Sequence, residues 1–178
     1  MRNVVVYELL SLDGVAEQPD QFILEFDDVM RENLGRVIGS QDAVLLGRRT
    51  YDDWARFWPG SEIEPFATFI NAVQKSVATS TPLEPEWTNA FAIEGDPAAF
   101  VAELKERSGD DIGVHGSISL AQTLLEDGLV DQLRLVVAPT LQMHGRRLFE
   151  GSAAQRLSLT RSVTSPSGYL LLDFERRR

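Results

Sequence analysis

The chain has 178 residues, of which 43% are hydrophobic and 25% charged, the composition of one globular domain with a sizeable core. Its formal net charge of -10 disfavours a nucleic acid or an anionic membrane bound through bulk electrostatics. The sequence has no cysteine, which excludes disulfides, thiolate metal sites and cysteine nucleophiles. It shows neither a secretory signal pattern nor an apolar stretch of the roughly 18 residues that span a membrane. We therefore expect a cytoplasmic protein with a single domain over residues 1–178.

The first part of the chain alternates strand and helix patterns. β-branched apolar residues predict a buried strand at Asn3–Leu10, and apolar residues at helical spacing predict a helix at Gln21–Ile38. A second buried strand is predicted at Asp42–Leu46. Thr50 and Asp53 have the spacing of a capping box, so we expect the next helix to begin at Thr50.

The rest of the chain continues this alternation and then ends in two strands. The further predicted elements are a helix at Glu64–Asn71, strands at Lys75–Thr79 and Thr88–Ile93, a helix at Pro97–Arg107, a strand at Asp111–His115, a helix from Ser119 to Asp127 and a strand at Asp131–Ala138. Leu157–Val163 and Tyr169–Arg176 alternate as an antiparallel hairpin does. This order predicts an α/β fold, in which a mixed, mostly parallel sheet is flanked by helices and carries a C-terminal antiparallel hairpin.

Three strand ends carry small or cationic residues. Residues 46–50 bring a glycine, the adjacent Arg48 and Arg49 and then a helix start. Residues 115–119 form a second strand–glycine–helix turn, and residues 78–82 are rich in hydroxyls. In open α/β sheets ligands bind at the carboxyl ends of the strands, where helix N-termini and forked arginine donors attract phosphate. The joint occurrence of the three turns favours a dinucleotide or a phosphorylated ligand.

Other catalytic motifs are missing from the sequence. It contains no GxxxxGK[ST], GxGxxG, GxSxG or HExxH, which disfavours a P-loop enzyme, a standard Rossmann site, a serine hydrolase elbow and a zincin. His115 and His144 stand alone, so we expect a structural role for each and no metal site. The acids of the first long helix are interpreted as a solvent-exposed face. Whether Asp20 or one of these acids lines a cleft is not decided by the sequence.

Five segments occur in one order along nearly the whole chain: SLDGVAE, LLGRRTYDDW, NAVQKSVATST, VHGSISLAQTLLEDGLVDQLRLVVAPTL and HGRRLFE. Together they resemble the dihydrofolate-reductase-like superfamily, and within it the C-terminal reductase domain of bacterial riboflavin-biosynthesis deaminase-reductases. The resemblance implies a stand-alone NADPH-dependent reductase of a small pterin- or pyrimidine-like heterocycle. It also implies a homodimer that pairs through the C-terminal sheet edge.

The same resemblance implies where the cofactor binds. The phosphates would lie along the two glycine turns, formed by Gly47, Arg48, Arg49, Thr50, Gly116, Ser117, Ile118 and Ser119. The adenosine ribose and its 2′-phosphate would be approached by Thr79, Ser80 and Thr81. The nicotinamide would be flanked by the loop from Leu12 to Ala16, with Val15 and Ala16 as cofactor contacts.

By the same resemblance, the substrate would sit between that loop, the first long helix and the aromatic helix. Its contacts would be Asp13, Phe22, Phe26, Trp54, Phe57 and Trp58. Asp13 is also the candidate catalytic acid, with an acid of the first helix or water as the alternatives.

Two questions stay open at the level of sequence. Relatives often carry an arginine after the serine of the ribose-side strand, whereas Ser80 is followed by Thr81. NADH is therefore an alternative to NADPH, unless Arg48 or Arg49 binds the 2′-phosphate. The other question is activity, because a non-catalytic nucleotide-binding module or a structural dimerisation domain would carry the same turns. The structural alternative predicts a groove filled by side chains.

Overall fold

The structure, a computed structural model, describes residues 1–151 and 153–177. Its strands are Val4–Leu10 (β1), Gln41–Gly47 (β2), Gln74–Ala78 (β3), Ala90–Ala92 (β4), Asp111–His115 (β5), Gln132–Val137 (β6), Leu157–Thr164 (β7) and Leu170–Arg176 (β8). Its α-helices are Asp28–Ile38 (α1), Arg48–Phe57 (α2), Phe66–Ala72 (α3), Pro97–Glu106 (α4) and Ile118–Glu126 (α5). Apart from the start of α1, these bounds lie within a few residues of the predicted ones.

The strands form one 8-stranded sheet in the order β4-β3-β2-β5-β1-β6-β8-β7. From β4 to β6, neighbouring strands run parallel, whereas β8 pairs antiparallel with both β6 and β7. The prediction of a mixed, mostly parallel sheet with a C-terminal antiparallel hairpin is confirmed. The order places β2, β5 and β1 side by side in the middle of the sheet, so their carboxyl ends meet at one edge.

Hydrophobic cores on both faces of the sheet hold the helices. Val44 and Leu46 of β2 belong to the core that contains residues of α1, α2 and α3, whereas Leu45 between them belongs to the core of α4 and α5. This alternation follows from the period of two in a strand. Burial of apolar surface on both sides therefore fixes the register of the central strands.

Helix α1 starts later than predicted, at Asp28 instead of Gln21. The amides of the preceding segment bind partners outside a helix, because two of them donate to Tyr169 Oη at 3.1 and 3.3 Å. Asp27 then caps the helix, since its Oδ1 accepts the Met30 amide at 2.9 Å. The apolar residues between Gln21 and Asp27 therefore pack against the protein as an irregular segment and not as part of a helix.

Helix α2 starts two residues before Thr50, at Arg48, so the predicted capping box is wrong. The Thr50 hydroxyl is engaged elsewhere, because it donates to the carbonyl of Gly116 at 2.7 Å. Helix α5 likewise begins at Ile118 and not at Ser119. The Thr50 and Asp53 spacing matched a local rule, and a different local geometry was formed.

The described residues contain no helix with the length and apolarity of a membrane span. The C-terminal hairpin lies at an edge of the sheet, and Leu159 and Leu170 on it are exposed. Pairing of two chains through this edge stays a prediction.

Replacing Asp27 with alanine removes the cap of α1 and the acceptor of the Ser167 amide, which donates to Asp27 at 3.1 Å. We expect the free energy of unfolding to fall by about 1–2 kcal/mol, as for other lost N-caps. Urea unfolding of the whole chain measures this change. The matched control is Asp28→Ala, whose fully exposed carboxylate makes one ion pair with Arg31 at 3.7 Å. We expect the control to change stability by less than about 0.5 kcal/mol, and equal losses would contradict the assignment.

Candidate active site

A cavity of about 1170 Å³ opens at the carboxyl ends of β1, β2 and β5. Single-ligand cavities typically measure about 300–1,000 Å³, so this volume accommodates more than one small molecule. The interpretation as a structural domain predicted a groove filled by side chains, and the open cavity contradicts it.

Hydrogen bonds join the two glycine turns at the rim of the cavity. The Gly47 amide donates to the Ser117 hydroxyl at 2.9 Å, and that hydroxyl donates to Thr50 Oγ1 at 3.0 Å. Thr50 Oγ1 in turn donates to the Gly116 carbonyl. Gly116 has a φ of +59°, and a Cβ there would lie 2.8 Å from the Trp54 ring. Glycine is therefore required at this position both for the backbone conformation and for space.

Helices α2 and α5 begin at the cavity without a side-chain cap. Helices α1 and α4 start with capping aspartates, Asp27 and Asp96. By contrast, the N-cap residues of α2 and α5 are Gly47 and Ser117, and across the described residues no side chain accepts a capping hydrogen bond there. Uncapped amides at the positive end of a helix dipole form a site for an anion. Two such ends line the same cavity.

Arg48 is held by groups of the protein. Its Nε donates to Asp52 at 2.7 Å, and its Nη1 donates to the Pro82 carbonyl at 2.9 Å. The same Nη1 donates to the hydroxyls of Thr79 and Thr81. Arg48 thus links the loop after β3 to the start of α2. Most of the hydrogen-bonding capacity of its guanidinium is used within the protein.

Arg49 is the more available of the two arginines. Its side chain is 77% exposed, and its contact with Glu17 spans 3.6 Å. A third arginine, Arg146, also lines the cavity and donates to Ser119 Oγ at 2.7 Å. The cationic groups of the cavity therefore lie around the starts of α2 and α5.

Aromatic rings form the wall at the other end of α2. The Trp58 ring lies 4.8 Å from Phe66 and 5.9 Å from Trp54, measured between centroids. Phe66 also contacts Trp54 at 5.5 Å and His115 at 5.4 Å. Such a wall provides flat, apolar surface on which a planar ring can stack.

Buried polar groups lie next to this wall. Glu8 is 4% exposed, and burial raises the pKa of its carboxyl to about 8, although two amides of the β5–α5 turn oppose the rise. Burial lowers the pKa of His115 to about 3, and its Nε2 lies 2.8 Å from Gln41 Oε1. Burial also raises the pKa of Tyr7. At pH 7 these cavity groups are therefore predominantly uncharged.

Asp13 lies outside the cavity and anchors a loop. Its carboxylate accepts the Gln142 amide at 2.9 Å, the Met143 amide at 3.0 Å and the Ser11 hydroxyl at 2.7 Å. The Gln142 amide and then the Ser11 hydroxyl lower the pKa of Asp13 to about 2. An acid with this pKa is ionised at neutral pH and has no proton to donate.

Most of the predicted site residues line the cavity. They are Ala16, Phe26, Gly47, Arg48, Arg49, Thr50, Trp54, Phe57, Trp58, Gly116, Ser117, Ile118 and Ser119. Six others are placed elsewhere: Asp13, Val15, Phe22, Thr79, Ser80 and Thr81. Val15 and Phe22 are fully buried in the protein. The Thr79 hydroxyl accepts a hydrogen bond from Arg48.

Sequence reasoning missed five of the polar and aromatic residues that line the cavity. They are Tyr7, Glu8, Phe66, Arg146 and, assigned only a structural role, His115. Asp20, which the sequence left open, does line the cavity. One signal was available, because Glu8 is an acid inside an otherwise apolar strand pattern.

A model of the RibD C-terminal domain matches residues 2–171. The chain belongs to this family. It is 28% identical over 166 residues to YyaP, an uncharacterized protein of Bacillus subtilis strain 168, covering 89% of this chain and 85% of that protein.

Solved structures show the same fold. One of them is described as a riboflavin biosynthesis protein and comes from Shewanella sp. PV-4. Its TM-score is 0.80 at 17% sequence identity, with 99% of both chains covered. The diaminohydroxyphosphoribosylaminopyrimidine deaminase/5-amino-6-(5-phosphoribosylamino)uracil reductase of Thermotoga maritima has a TM-score of 0.68 at 15% identity, with 99% of this chain and 57% of that chain covered.

The described residues of the present chain hold no cluster of three or more His, Asp or Glu suited to a metal ion.

The buried Glu8 makes stability depend on pH. Because its pKa is higher in the folded chain than in the unfolded one, the folded form keeps a proton that the unfolded form has lost between about pH 4.5 and pH 8. Stability is therefore full below that window and declines as pH rises through it. In Glu8→Gln this decline is removed, so the variant gains on the order of 3 kcal/mol over the wild type between pH 5 and pH 8.

Urea unfolding of the wild type and of Glu8→Gln at pH 5 and at pH 8 measures this gain in the free energy of unfolding. Glu103→Gln, which changes an exposed carboxylate on α4, is the control. The same pH dependence in Glu8→Gln and in the wild type would show that Glu8 is ionised in the folded chain.

Proposed function

We propose that the protein is an NADPH-dependent reductase of a small pterin- or pyrimidine-like heterocycle. One observation carries this proposal: a single cavity joins two uncapped helix starts and their arginines to an aromatic wall. The first end suits the phosphates of a dinucleotide, and the second suits a planar ring. The Thermotoga relative, whose name includes 5-amino-6-(5-phosphoribosylamino)uracil reductase, supports the same class of reaction.

The residues of the cavity fit a dinucleotide. Its pyrophosphate would be held by the first amides of α2 and α5, with Arg146 as the cationic neighbour. The absence of a side chain at Gly116 lets the Trp54 ring pack against this turn. When bound, reduced nicotinamide dinucleotide supplies a hydride, and the protein's task is to orient and shield the reactants.

The chain's own residues would act by positioning. The aromatic wall holds the heterocycle flat and excludes water on one side, which favours transfer between stacked rings. The reaction consumes one proton from the medium for each hydride that the heterocycle accepts. The fixed turn hydrogen bonds keep the helix starts in place during this step.

A non-catalytic nucleotide-binding module is the second candidate. It is favoured by Asp13, because the expected acid is committed to a loop. Turnover separates the two candidates: loss of NADPH absorbance is followed with a panel of pterins, pyrimidines and quinones. We expect oxidation with at least one pterin or pyrimidine. NADPH binding without oxidation across the whole panel would support the non-catalytic module.

Arg49 is proposed to distinguish NADPH from NADH through the 2′-phosphate. In Arg49→Ala we expect the Kd for NADPH to rise about tenfold, the effect of one lost charge-assisted hydrogen bond at an exposed site. The Kd for NADH is expected to change by less than about threefold. Energy transfer from tryptophan to the reduced nicotinamide measures both constants.

Arg31→Ala is the control for charge, because Arg31 is exposed and lies outside the residues that line the cavity. Equal losses for the two nucleotides would make Arg49 a general phosphate contact. Absence of binding of either nucleotide to the wild type would refute the proposed function.

A further inference from the structure

A chain of hydrogen bonds lies behind the aromatic wall of the cavity. The Trp87 indole Nε1 donates to Asn71 Oδ1 at 2.8 Å, and Asn71 Nδ2 donates to the Trp58 carbonyl at 2.8 Å. Trp58 lines the cavity, whereas Asn71 and the buried Trp87 lie outside its lining residues. Asn71 therefore connects a residue of the wall to the protein interior.

The Asn71 amide is oriented by its two partners. An indole N–H only donates and a backbone carbonyl oxygen only accepts. The Asn71 oxygen must therefore face Trp87, and its nitrogen must face Trp58. Both hydrogen bonds are lost together if this side chain is replaced by an apolar one of similar shape.

Lys75 contacts the face of the Trp87 ring. Its Nζ lies 4.6 Å from the ring centroid and donates to the carbonyls of Ile70 and Val73 at 2.7 and 2.8 Å. The side chain is fully buried, and burial lowers its pKa to about 8. At pH 7 the ammonium is still mostly charged, as a cation–π contact requires. Trp87 is thus held at its edge by Asn71 and at its face by Lys75.

The Trp58 ring has no hydrogen bond of its own. Within the part of the chain that the structure describes, its Nε1 makes none. Trp58 follows α2 and begins a 3₁₀ turn of three residues, Trp58–Gly60. Its carbonyl accepts the Ser61 amide at 3.1 Å inside this turn and the Asn71 amide from outside it. Asn71 is thus the side chain that joins the turn to α3 by a hydrogen bond.

Helix α3 carries both Asn71 and a ring of the wall. It has 7 residues, which is too short for a stable helix without tertiary contacts. Phe66 begins the helix, and its ring centroid lies 4.8 Å from that of Trp58. Asn71 near the other end holds the Trp58 backbone. The placement of Trp58 against Phe66 therefore depends on a hydrogen bond behind both rings.

We infer that Asn71 and Trp87 are positioning residues, which hold Trp58 in the orientation in which the aromatic wall binds a planar ring. The inference rests on the proposed reductase function, because that function places a heterocycle on this wall. It adds to the site two residues that touch neither the cofactor nor the substrate.

Two variants break the chain of hydrogen bonds at different points. Trp87→Phe removes the indole donor and keeps an aromatic ring for Lys75 to contact. Asn71→Leu removes both hydrogen bonds and keeps a side chain of similar shape. The matched control is Asn89→Gly, because Asn89 Nδ2 donates to the Ala72 carbonyl at 2.9 Å, at the same end of α3, and lies outside the residues that line the cavity. Glycine accepts the φ of +58° at this position.

Two probes report on the two ends of the cavity, and calorimetry measures the Kd of each. Pterin is a planar ring, whereas 2′,5′-ADP is the phosphate-bearing half of NADPH. We expect the Kd for pterin to rise about five- to tenfold in Trp87→Phe and in Asn71→Leu, the value of a misplaced stacking contact. The Kd for 2′,5′-ADP should change less than about twofold, because the start of α2 lies about 15 Å along the helix from its end beside Trp58.

The control should melt at a lower temperature than the wild type and bind both probes as the wild type does. A merely structural role of Asn71 and Trp87 would weaken binding of both probes or of neither. Either of these results overturns the inference, and so does a control that loses pterin binding to the same extent.

A double variant tests whether Trp87 acts through Trp58. In a Trp58→Ala chain there is no indole ring to hold in place, so adding Trp87→Phe should change the Kd for pterin by less than about twofold. The full five- to tenfold rise in that chain overturns the inference.

Titration of the wild type with NADPH is run separately. A wild type that does not bind NADPH refutes the reductase function, and the pterin series still decides the positioning role. Unchanged pterin binding in Trp87→Phe and Asn71→Leu, in a chain that binds NADPH, overturns only the positioning role. A wild type that does not bind pterin overturns the inference as well.

Discussion

The hydrogen-bonded link between the two glycine turns is the constraint on which the cavity depends. Ser117 accepts the Gly47 amide and donates to Thr50, and Thr50 donates to the Gly116 carbonyl. Each hydroxyl thus connects one strand end to the neighbouring one, and the starts of α2 and α5 become one rigid unit. Trp54 packs against Gly116 because that glycine has no Cβ. The position of the aromatic wall is therefore set by the same link.

This link bears on how a strongly acidic chain would bind an anion at the proposed site. With a net charge of -10, the protein as a whole repels phosphate, so attraction must come from local groups. Backbone amides and helix dipoles would provide it without adding charge, and the hydroxyl of Ser117, the N-cap residue of α5, is occupied by the link. Arg48 stabilises the adjacent loop, which leaves Arg49 to provide exposed positive charge. Small turns and one available arginine are the groups that the proposed dinucleotide site would use.

The sequence predicted the fold well because local pattern and tertiary structure agree in the strands. β2, for example, alternates between two cores, as its apolar run indicates. The sequence-based prediction was wrong where a residue distant in the chain determines the local conformation. Tyr169 binds the amides before α1 and delays that helix, and Arg48 donates to the Thr79 hydroxyl, a contact that the sequence did not predict. No pattern within ten residues of either position encodes these contacts.

Tyr7 and Glu8 were not predicted as cavity residues for a different physical reason. Tyr7 lies in an apolar strand, where a pattern predicts burial without distinguishing a packed core from the wall of a cavity. A core tyrosine normally has a partner for its hydroxyl, so the distinction requires an account of hydrogen bonds that only the structure provides. Tyr7 Oη makes no hydrogen bond within the described residues, and no sequence pattern indicates this. Local departures from ideal packing are expected at functional sites.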